Sequence, residues 1–202
     1  MKTIISIIAT LVFSQTAVAQ VNTNPNTVHT PQKQRIAFRA PASASNYVQQ
    51  HVIDVGDVPG HQIRVFELQR TYGPSDGKPI ASATPTAAGA SRASSEAPVF
   101  NGVKATGSST RGVSDYIDAN GRVYGYTIYT LENGDKIFSR YEGVVLTPAG
   151  GKTNANYVST FVGGTGQFRN IRGVLRGTSV VTFSGGKAGP IETQYEGEYW
   201  VE

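Results

Sequence analysis

Residues 121 to 145 have the sequence GRVYGYTIYTLENGDKIFSRYEGVV, in which two runs rich in tyrosine, isoleucine and valine flank an Asn-Gly pair. Asn-Gly between two alternating apolar runs is a strong indicator of a β-hairpin with a two-residue turn, because both residues tolerate positive φ. We therefore predict a turn at Asn133-Gly134 that pairs Tyr126 with Tyr141. The stretch predicts two antiparallel strands.

The alternation of side chains along these strands predicts one common inner face, formed by Tyr124, Tyr126, Ile128, Ile137, Ser139, Tyr141 and Val145. A second pair, Asn120-Gly121, predicts the preceding turn and brings Asp115 onto the same face. A carboxylate among tyrosine hydroxyls is suited to ligand binding or acid-base chemistry, whereas the alternative is a solvated or turn-capping aspartate. The candidate ligand-binding residues are Asp115, Tyr124, Tyr126, Ser139 and Tyr141.

The rest of the chain has the same character. About nine short runs of strand-forming residues lie between positions 51 and 201, and two of them, 99–107 and 111–117, can be one strand bent at 107–109. The 202 residues include 23 glycines and 10 tyrosines, and only 16% are charged, a composition that excludes a coiled coil or helical bundle. We predict an all-β antiparallel barrel or sandwich.

The charge and the reactive side chains exclude several classes of function. The formal net charge of +4 is too small to indicate nucleic-acid binding. Cysteine is absent, which excludes disulfides and thiol catalysis, and three scattered histidines do not form a zinc motif. We expect no metal, no cofactor and no nucleic-acid partner.

The N-terminal part and the middle of the chain differ from the strand-rich parts. Residues 1–19 combine Lys2, an apolar stretch from Ile4 to Phe13 and the Ala17-Val18-Ala19 cleavage pattern, which predicts a signal peptide and a secreted or periplasmic protein without membrane insertion after cleavage. Residues 20–48 predict a flexible leader. Residues 49–202 predict one barrel domain, in which the Pro/Ser/Ala-rich stretch 73–98 is an insertion loop.

The glycine-rich segment Phe161-Val-Gly-Gly-Thr-Gly-Gln-Phe168, with Ile171-Arg-Gly173, resembles the signature of the allene oxide cyclase and dirigent barrel superfamily. The similarity extends upstream through 121–143 and to the strand 63–69. It implies a calycin-type, eight-stranded antiparallel β-barrel with a central cavity, commonly assembled as a homotrimer. The glycines permit a tight turn, and Phe168 can plug one end of the barrel.

The resemblance also implies a catalytic pair. The plant cyclases use a Glu and an Asn on their first barrel strand, and these correspond to Glu67 and Gln69 here. From the residues alone the strand has two orientations: Glu67 faces the interior, or Phe66 and Leu68 do and Glu67 faces water.

Together these observations predict a secreted barrel that binds a small apolar or oxygenated metabolite in its cavity. The resemblance adds isomerase or cyclase activity of the allene oxide cyclase type as an expectation. The alternative is a non-catalytic structural or interaction barrel whose interior is filled by side chains.

Overall fold

The structure, a computed structural model, describes residues 31–72, 97–148, 152–184 and 187–202. The predicted signal peptide and most of the predicted 73–98 insertion lie outside the described residues. The strands are β1 Gln34–Ala40, β2 Ser45–Asp54, β3 His61–Thr71, β4 Val99–Phe100, β5 Val103–Ile117, β6 Asn120–Leu131, β7 Lys136–Leu146, β8 Thr153–Gly164, β9 Ile171–Ser184 and β10 Lys187–Val201. Within the described ranges, no helix reaches the length and apolarity required to cross a membrane.

The strands form one curled antiparallel sheet in the order β1-β10-β9-β8-β7-β6-β5-β3-β2, with β4 paired to the start of β5. The two edge strands, β1 and β2, are joined by the short 3₁₀ turn Ala42–Ala44. At this turn the backbone N–H of Ile191 donates to the Ser45 hydroxyl (2.9 Å), whose oxygen lies 2.8 Å from the Ala42 carbonyl oxygen and 3.1 Å from that of Ile191. β1 and β2 therefore share the eighth strand position, and the predicted all-β antiparallel barrel is confirmed.

The second half of the predicted leader belongs to this barrel. The structure places residues 34–48 mainly in β1 and β2, whereas their Pro, Gln and Ser content predicts a flexible segment. Ile36, Phe38 and Ala40 alternate toward the interior and are almost completely buried, which supplies the apolar contact that the composition average conceals. Residues 20–30 lie outside the described part.

The β6–β7 hairpin has a different register from the predicted one. Thr130 pairs with Lys136, and Gly134 at φ 86° ends a three-residue turn in which its N–H donates to the Leu131 carbonyl (3.0 Å). A type I turn followed by a left-handed glycine has one residue more than the predicted two-residue turn. Because side chains alternate, this one-residue difference turns every β6 side chain to the opposite face.

The predicted inner face is therefore wrong for β6 and correct for β7. Tyr124 and Tyr126 point outward and are 50% and 65% exposed, so their predicted inward orientation is wrong. On β7, Ile137, Ser139 and Tyr141 point inward and are buried, as predicted.

The β5–β6 turn also lies elsewhere than predicted. Asp118 and Ala119, at φ 50° and 61°, form the two-residue turn, and Ile117 pairs with Asn120. The turn lies two residues before Asn120-Gly121, an even shift, so Asp115 still shares a face with Tyr124, but that face is the outer one. Upstream, Val103 to Ile117 is one continuous strand, as the sequence suggested for 107–117, but its bulge lies between positions 105 and 107 instead of at 107–109, and residues 99–100 form the separate strand β4.

One half of the barrel interior is packed solid. Phe168, brought inward by the 3₁₀ turn Gly166–Phe168, is completely buried. It packs edge-to-face against Phe100 with 6.4 Å between ring centroids, and Phe100 contacts Phe161 and Tyr199 in the same way. This aromatic cluster closes the end of the barrel that holds the β6–β7 and β8–β9 turns, as predicted for Phe168. The other half of the barrel is hollow.

Candidate functional site

The hollow half of the barrel is a cavity between β2, β3 and β5–β10. Its wall is apolar where Phe66, Leu68, Val123, Val145, Ala155, Val181 and Ile191 face it, and polar where tyrosines, Ser/Thr hydroxyls and two arginines do. The cavity volume is about 90 Å³, which is several times the ~10–15 Å³ that one water molecule needs. The cavity therefore has room for a small molecule.

Arg70 is the deepest charged group of this cavity. Its side chain lies on the inner face of β3 and is 5% exposed. One terminal nitrogen donates to the Tyr195 hydroxyl (3.0 Å) and the other to the Thr193 hydroxyl (2.8 Å), while Nε has no hydrogen-bond partner. Burial by itself lowers the pKa of Arg70, but the neighbouring tyrosines, Tyr195 first, raise it above its ordinary value. The guanidinium is therefore a buried cation.

Among the described residues, no buried acidic side chain accompanies the charge on Arg70. Arg64 and Arg70 are the buried charged side chains in the described ranges, and no Asp or Glu there is buried. Arg64 donates to the Gln62 amide oxygen (2.9 Å). The described interior consequently carries positive charge.

Tyr141 reaches the same cavity from β7. Its hydroxyl is buried and lacks a hydrogen-bond partner. The space for this hydroxyl is provided by Gly112 on β5, because a Cβ at that position would overlap the Tyr141 oxygen. Burial raises the pKa of Tyr141. The hydroxyl thus keeps its proton at neutral pH and is a buried donor without an acceptor.

The other interior hydroxyls are largely satisfied among themselves. Thr110 and Thr127 are hydrogen-bonded at 2.9 Å, and Ser179 and Thr193 at 2.8 Å. Tyr47, beside the cavity, has its pKa raised to about 12 by burial, and burial raises the pKa of Tyr116 as well. The polar side chains of the cavity are therefore protonated donors or paired hydroxyls rather than bases.

The structure separates the predicted site residues into two groups. Tyr141 lines the cavity, and Ser139 lies on the inner face of the same strand, 1% exposed, with its hydroxyl 3.5 Å from the Thr127 carbonyl. The other five, Glu67, Gln69, Asp115, Tyr124 and Tyr126, lie on the outer surface. Of the seven predicted site residues, Tyr141 is the one that lines the cavity.

Glu67 takes the outward orientation because Phe66 and Leu68 occupy the inner face of β3. Its carboxylate lies 3.4 Å from the Arg111 side chain and accepts weak hydrogen bonds from Ser109 (3.4 Å) and Gln69 (3.5 Å). The predicted catalytic pair is therefore directed away from the cavity. The residues alone could not assign the orientation, because both parities of the strand contain apolar residues.

Asp115 belongs to a surface cluster with His61. The Nε2 of His61 lies 2.8 Å from one Asp115 carboxylate oxygen, and Nδ1 lies 2.5 Å from Asp57. The hydrogen bond to Asp57, and then the one to Asp115, raise the pKa of His61. This cluster ties the β2–β3 connection to the end of β5.

Sequence reasoning missed Arg70 and the tyrosines on β2, β8 and β10 that line the cavity, Tyr47, Tyr157 and Tyr195. The sequence places Arg64, Phe66, Leu68 and Arg70 on one face of β3, and the two apolar residues indicate that this face is buried. The two arginines conceal that indication, because arginines ordinarily mark a solvated face.

Comparison with known proteins identifies similar folds only at low similarity. No family model matches the chain, and no curated protein matches it. Among solved structures, the pterocarpan synthase dirigent proteins PsPTS1 and GePTS1 are each 12% identical with a TM-score of 0.42. Both alignments cover 86% of this chain, and they cover 96% and 86% of the respective dirigent chains. Membership of the allene oxide cyclase and dirigent superfamily stays a prediction.

Proposed function

We propose that this chain binds a small apolar or oxygenated molecule inside the hollow half of the barrel. The observation that carries the proposal is the contrast between the two halves: aromatic rings pack one end, and the other encloses a cavity with apolar walls and a few polar groups. Such a lining is typical of small-molecule sites, and a barrel of eight strand positions is wide enough for one small ligand.

A matched pair of variants tests the proposal with p-cresol as the probe. Val145 lines the cavity and is 3% exposed, whereas its neighbour Val144 is 48% exposed on the outer face. Val145→Phe should weaken p-cresol binding, measured by calorimetry, at least about tenfold, because it fills the site. Val144→Phe should leave binding unchanged. If Val145→Phe does not fold, Ala155→Val is the milder substitution.

Protein isolated from its own source gives the second measurement. Native mass spectrometry should show a bound small molecule that solvent extraction releases. If no such mass is found, and if p-cresol does not bind or binds equally to both valine variants, the protein is instead the structural or interaction barrel.

Isomerase or cyclase activity is the second candidate. It is favoured by two donors, Arg70 and Tyr141, that face the cavity and could stabilise an oxyanion developing on a ligand. The chemistry would then depend on cavity shape and hydrogen-bond donation, since Glu67 and Gln69 point away. Turnover of an oxygenated unsaturated ligand that is lost in Arg70→Gln and kept in Glu67→Gln would support it. Absence of turnover in the wild type would refute it, and loss in Glu67→Gln alone would refute the assignment of the chemistry to the cavity donors.

Secretion and assembly are further parts of the proposal. The apolar stretch and cleavage pattern at 1–19 support export, which predicts an intact mass beginning at Gln20. Exposed apolar side chains on the outer face, including Tyr126, Val144, Val158 and Val174, support association of copies as a homotrimer. Light scattering should give the trimer mass; a monomer would refute this part.

A further inference from the structure

We infer that Arg70 and Tyr141 form an anion-recognition site in the cavity and that the ligand is a compact carboxylic acid with one ring or a short branched apolar body. The inference rests on the proposed binding function and names the class of ligand.

The first argument is the state of Arg70. Its guanidinium is buried, its two hydrogen-bond partners are the neutral hydroxyls of Tyr195 and Thr193, and its Nε donor has no partner. A buried cation is strongly unfavourable unless an opposite charge accompanies it. The described part of the chain provides no buried carboxylate. A ligand carboxylate in the cavity would supply the opposite charge and accept hydrogen bonds from the guanidinium.

The second argument is independent of the charge. The Tyr141 hydroxyl is also buried without a hydrogen-bond partner, and it lines the same cavity as Arg70. A buried donor without an acceptor is rare in proteins and calls for an explanation. Gly112 leaves the space into which this hydroxyl projects. Arg70 and Tyr141 therefore each carry a buried donor without a partner, and both residues line one cavity.

The remaining wall defines the body of the ligand. Val123, Val145, Ala155, Val181 and Ile191 present apolar surface to the cavity. The hydroxyl pairs Thr110–Thr127 and Ser179–Thr193 are already satisfied, so they do not require further polar groups on the ligand. The open volume of about 90 Å³ is in scale with a single ring. The site therefore favours one anionic end and one compact apolar end.

The experiment compares benzoate with its neutral isostere benzamide and with acetate and chloride, using calorimetric titration of the full-length mature protein. We expect benzoate to bind at least about tenfold more tightly than benzamide, as a charge-assisted hydrogen bond provides. Acetate and chloride should bind at least about tenfold more weakly than benzoate, because they lack the apolar body.

The variants assign the acid preference to residues. Arg70→Gln should reduce the ratio of benzoate to benzamide affinity to about one, and Tyr141→Phe should reduce it several-fold. The control is Arg111→Gln, whose side chain is 77% exposed on the outer surface and should leave the ratio unchanged. Arg70→Lys keeps the charge and should keep part of the preference, so it serves if Arg70→Gln does not fold.

The pKa of carboxyl-labelled benzoate, measured in the bound state, distinguishes direct contact with Arg70 from a purely structural role of that residue. NMR titration should show that the bound acid stays ionised to lower pH than free benzoate, because the guanidinium favours the carboxylate.

The inference is refuted if the wild type binds the acid and the amide equally, if the preference survives in Arg70→Gln, or if acetate and chloride bind as well as benzoate. Binding of benzamide or p-cresol without any preference for the acid would refute the anion site and leave the proposed function intact. Absence of binding by every probe would refute both.

Discussion

The packing of Tyr141 over Gly112 gives the sharpest mechanical prediction. In Gly112→Ala the added methyl group would overlap the Tyr141 hydroxyl and lie 2.7 Å from Cζ of Phe66 and 3.0 Å from the Tyr124 carbonyl oxygen. Carbon atoms in contact prefer roughly 3.5–4.0 Å, so the Phe66 ring must withdraw by about 1 Å and the Tyr141 hydroxyl by more. Both ring tips move into the cavity, since that is the open space beside them.

The expected cost of this overpacking is about 1–3 kcal/mol in the free energy of unfolding. For a domain of this size that corresponds to a fall in the melting temperature of roughly 2 to 12 °C. The same displacement fills the cavity, so p-cresol binding should weaken in parallel. Thermal and urea unfolding, together with calorimetric titration, measure both effects.

A double-mutant cycle with Tyr141→Phe identifies the clash. The Tyr141 hydroxyl has no hydrogen-bond partner, so its removal alone should change stability by less than about 1 kcal/mol. In the Tyr141→Phe background, Gly112→Ala should cost about 1 kcal/mol less than in the wild type, because the overlapped oxygen is gone. An equal cost in both backgrounds, or no cost in the wild type, would refute this account of the site.

Three further predictions concern the plug, the surface carboxylate and the surface histidine. Phe168→Ala should destabilise the barrel by about 3–5 kcal/mol in urea unfolding, because it empties the packed end; a loss below about 1 kcal/mol would contradict the plug. Glu67→Gln should change stability by less than about 1 kcal/mol and leave p-cresol affinity unchanged, because the hydrogen-bond partners of Glu67 are on the surface. Weakened p-cresol binding would show that Glu67 belongs to the binding site. The pKa of His61 is raised above its ordinary 6.5 by its two aspartate partners, so the stabilisation is complete below that pH and is lost as pH rises through the higher folded-state value. Urea midpoints of wild type and His61→Gln should therefore differ more at pH 5.5 than at pH 9, and a constant difference would contradict the cluster.

The interior could be predicted only in part from the sequence, and the β6–β7 hairpin shows why. Alternation identified both strands and the inward set on β7, which includes Ser139 and Tyr141. The orientation of β6 depended on whether the turn has two residues or three, and Asn133-Gly134 is compatible with both. Hydrogen bonding at Leu131 and Gly134 in the folded hairpin selects the longer turn, which places Tyr124 and Tyr126 outside.

The sequence by itself determined the all-β class, the strand content and the plug at Phe168, because these follow from local alternation, glycine turns and apolar size. Tertiary structure decided the rest. The inward set Ile36, Phe38 and Ala40 forms a strand because β10 is there to pair with it, although the local composition indicates a leader. Arg70 is a cavity residue because closure of the barrel turns that face of β3 inward, where long-range contacts with Thr193 and Tyr195 replace the water that an arginine ordinarily requires.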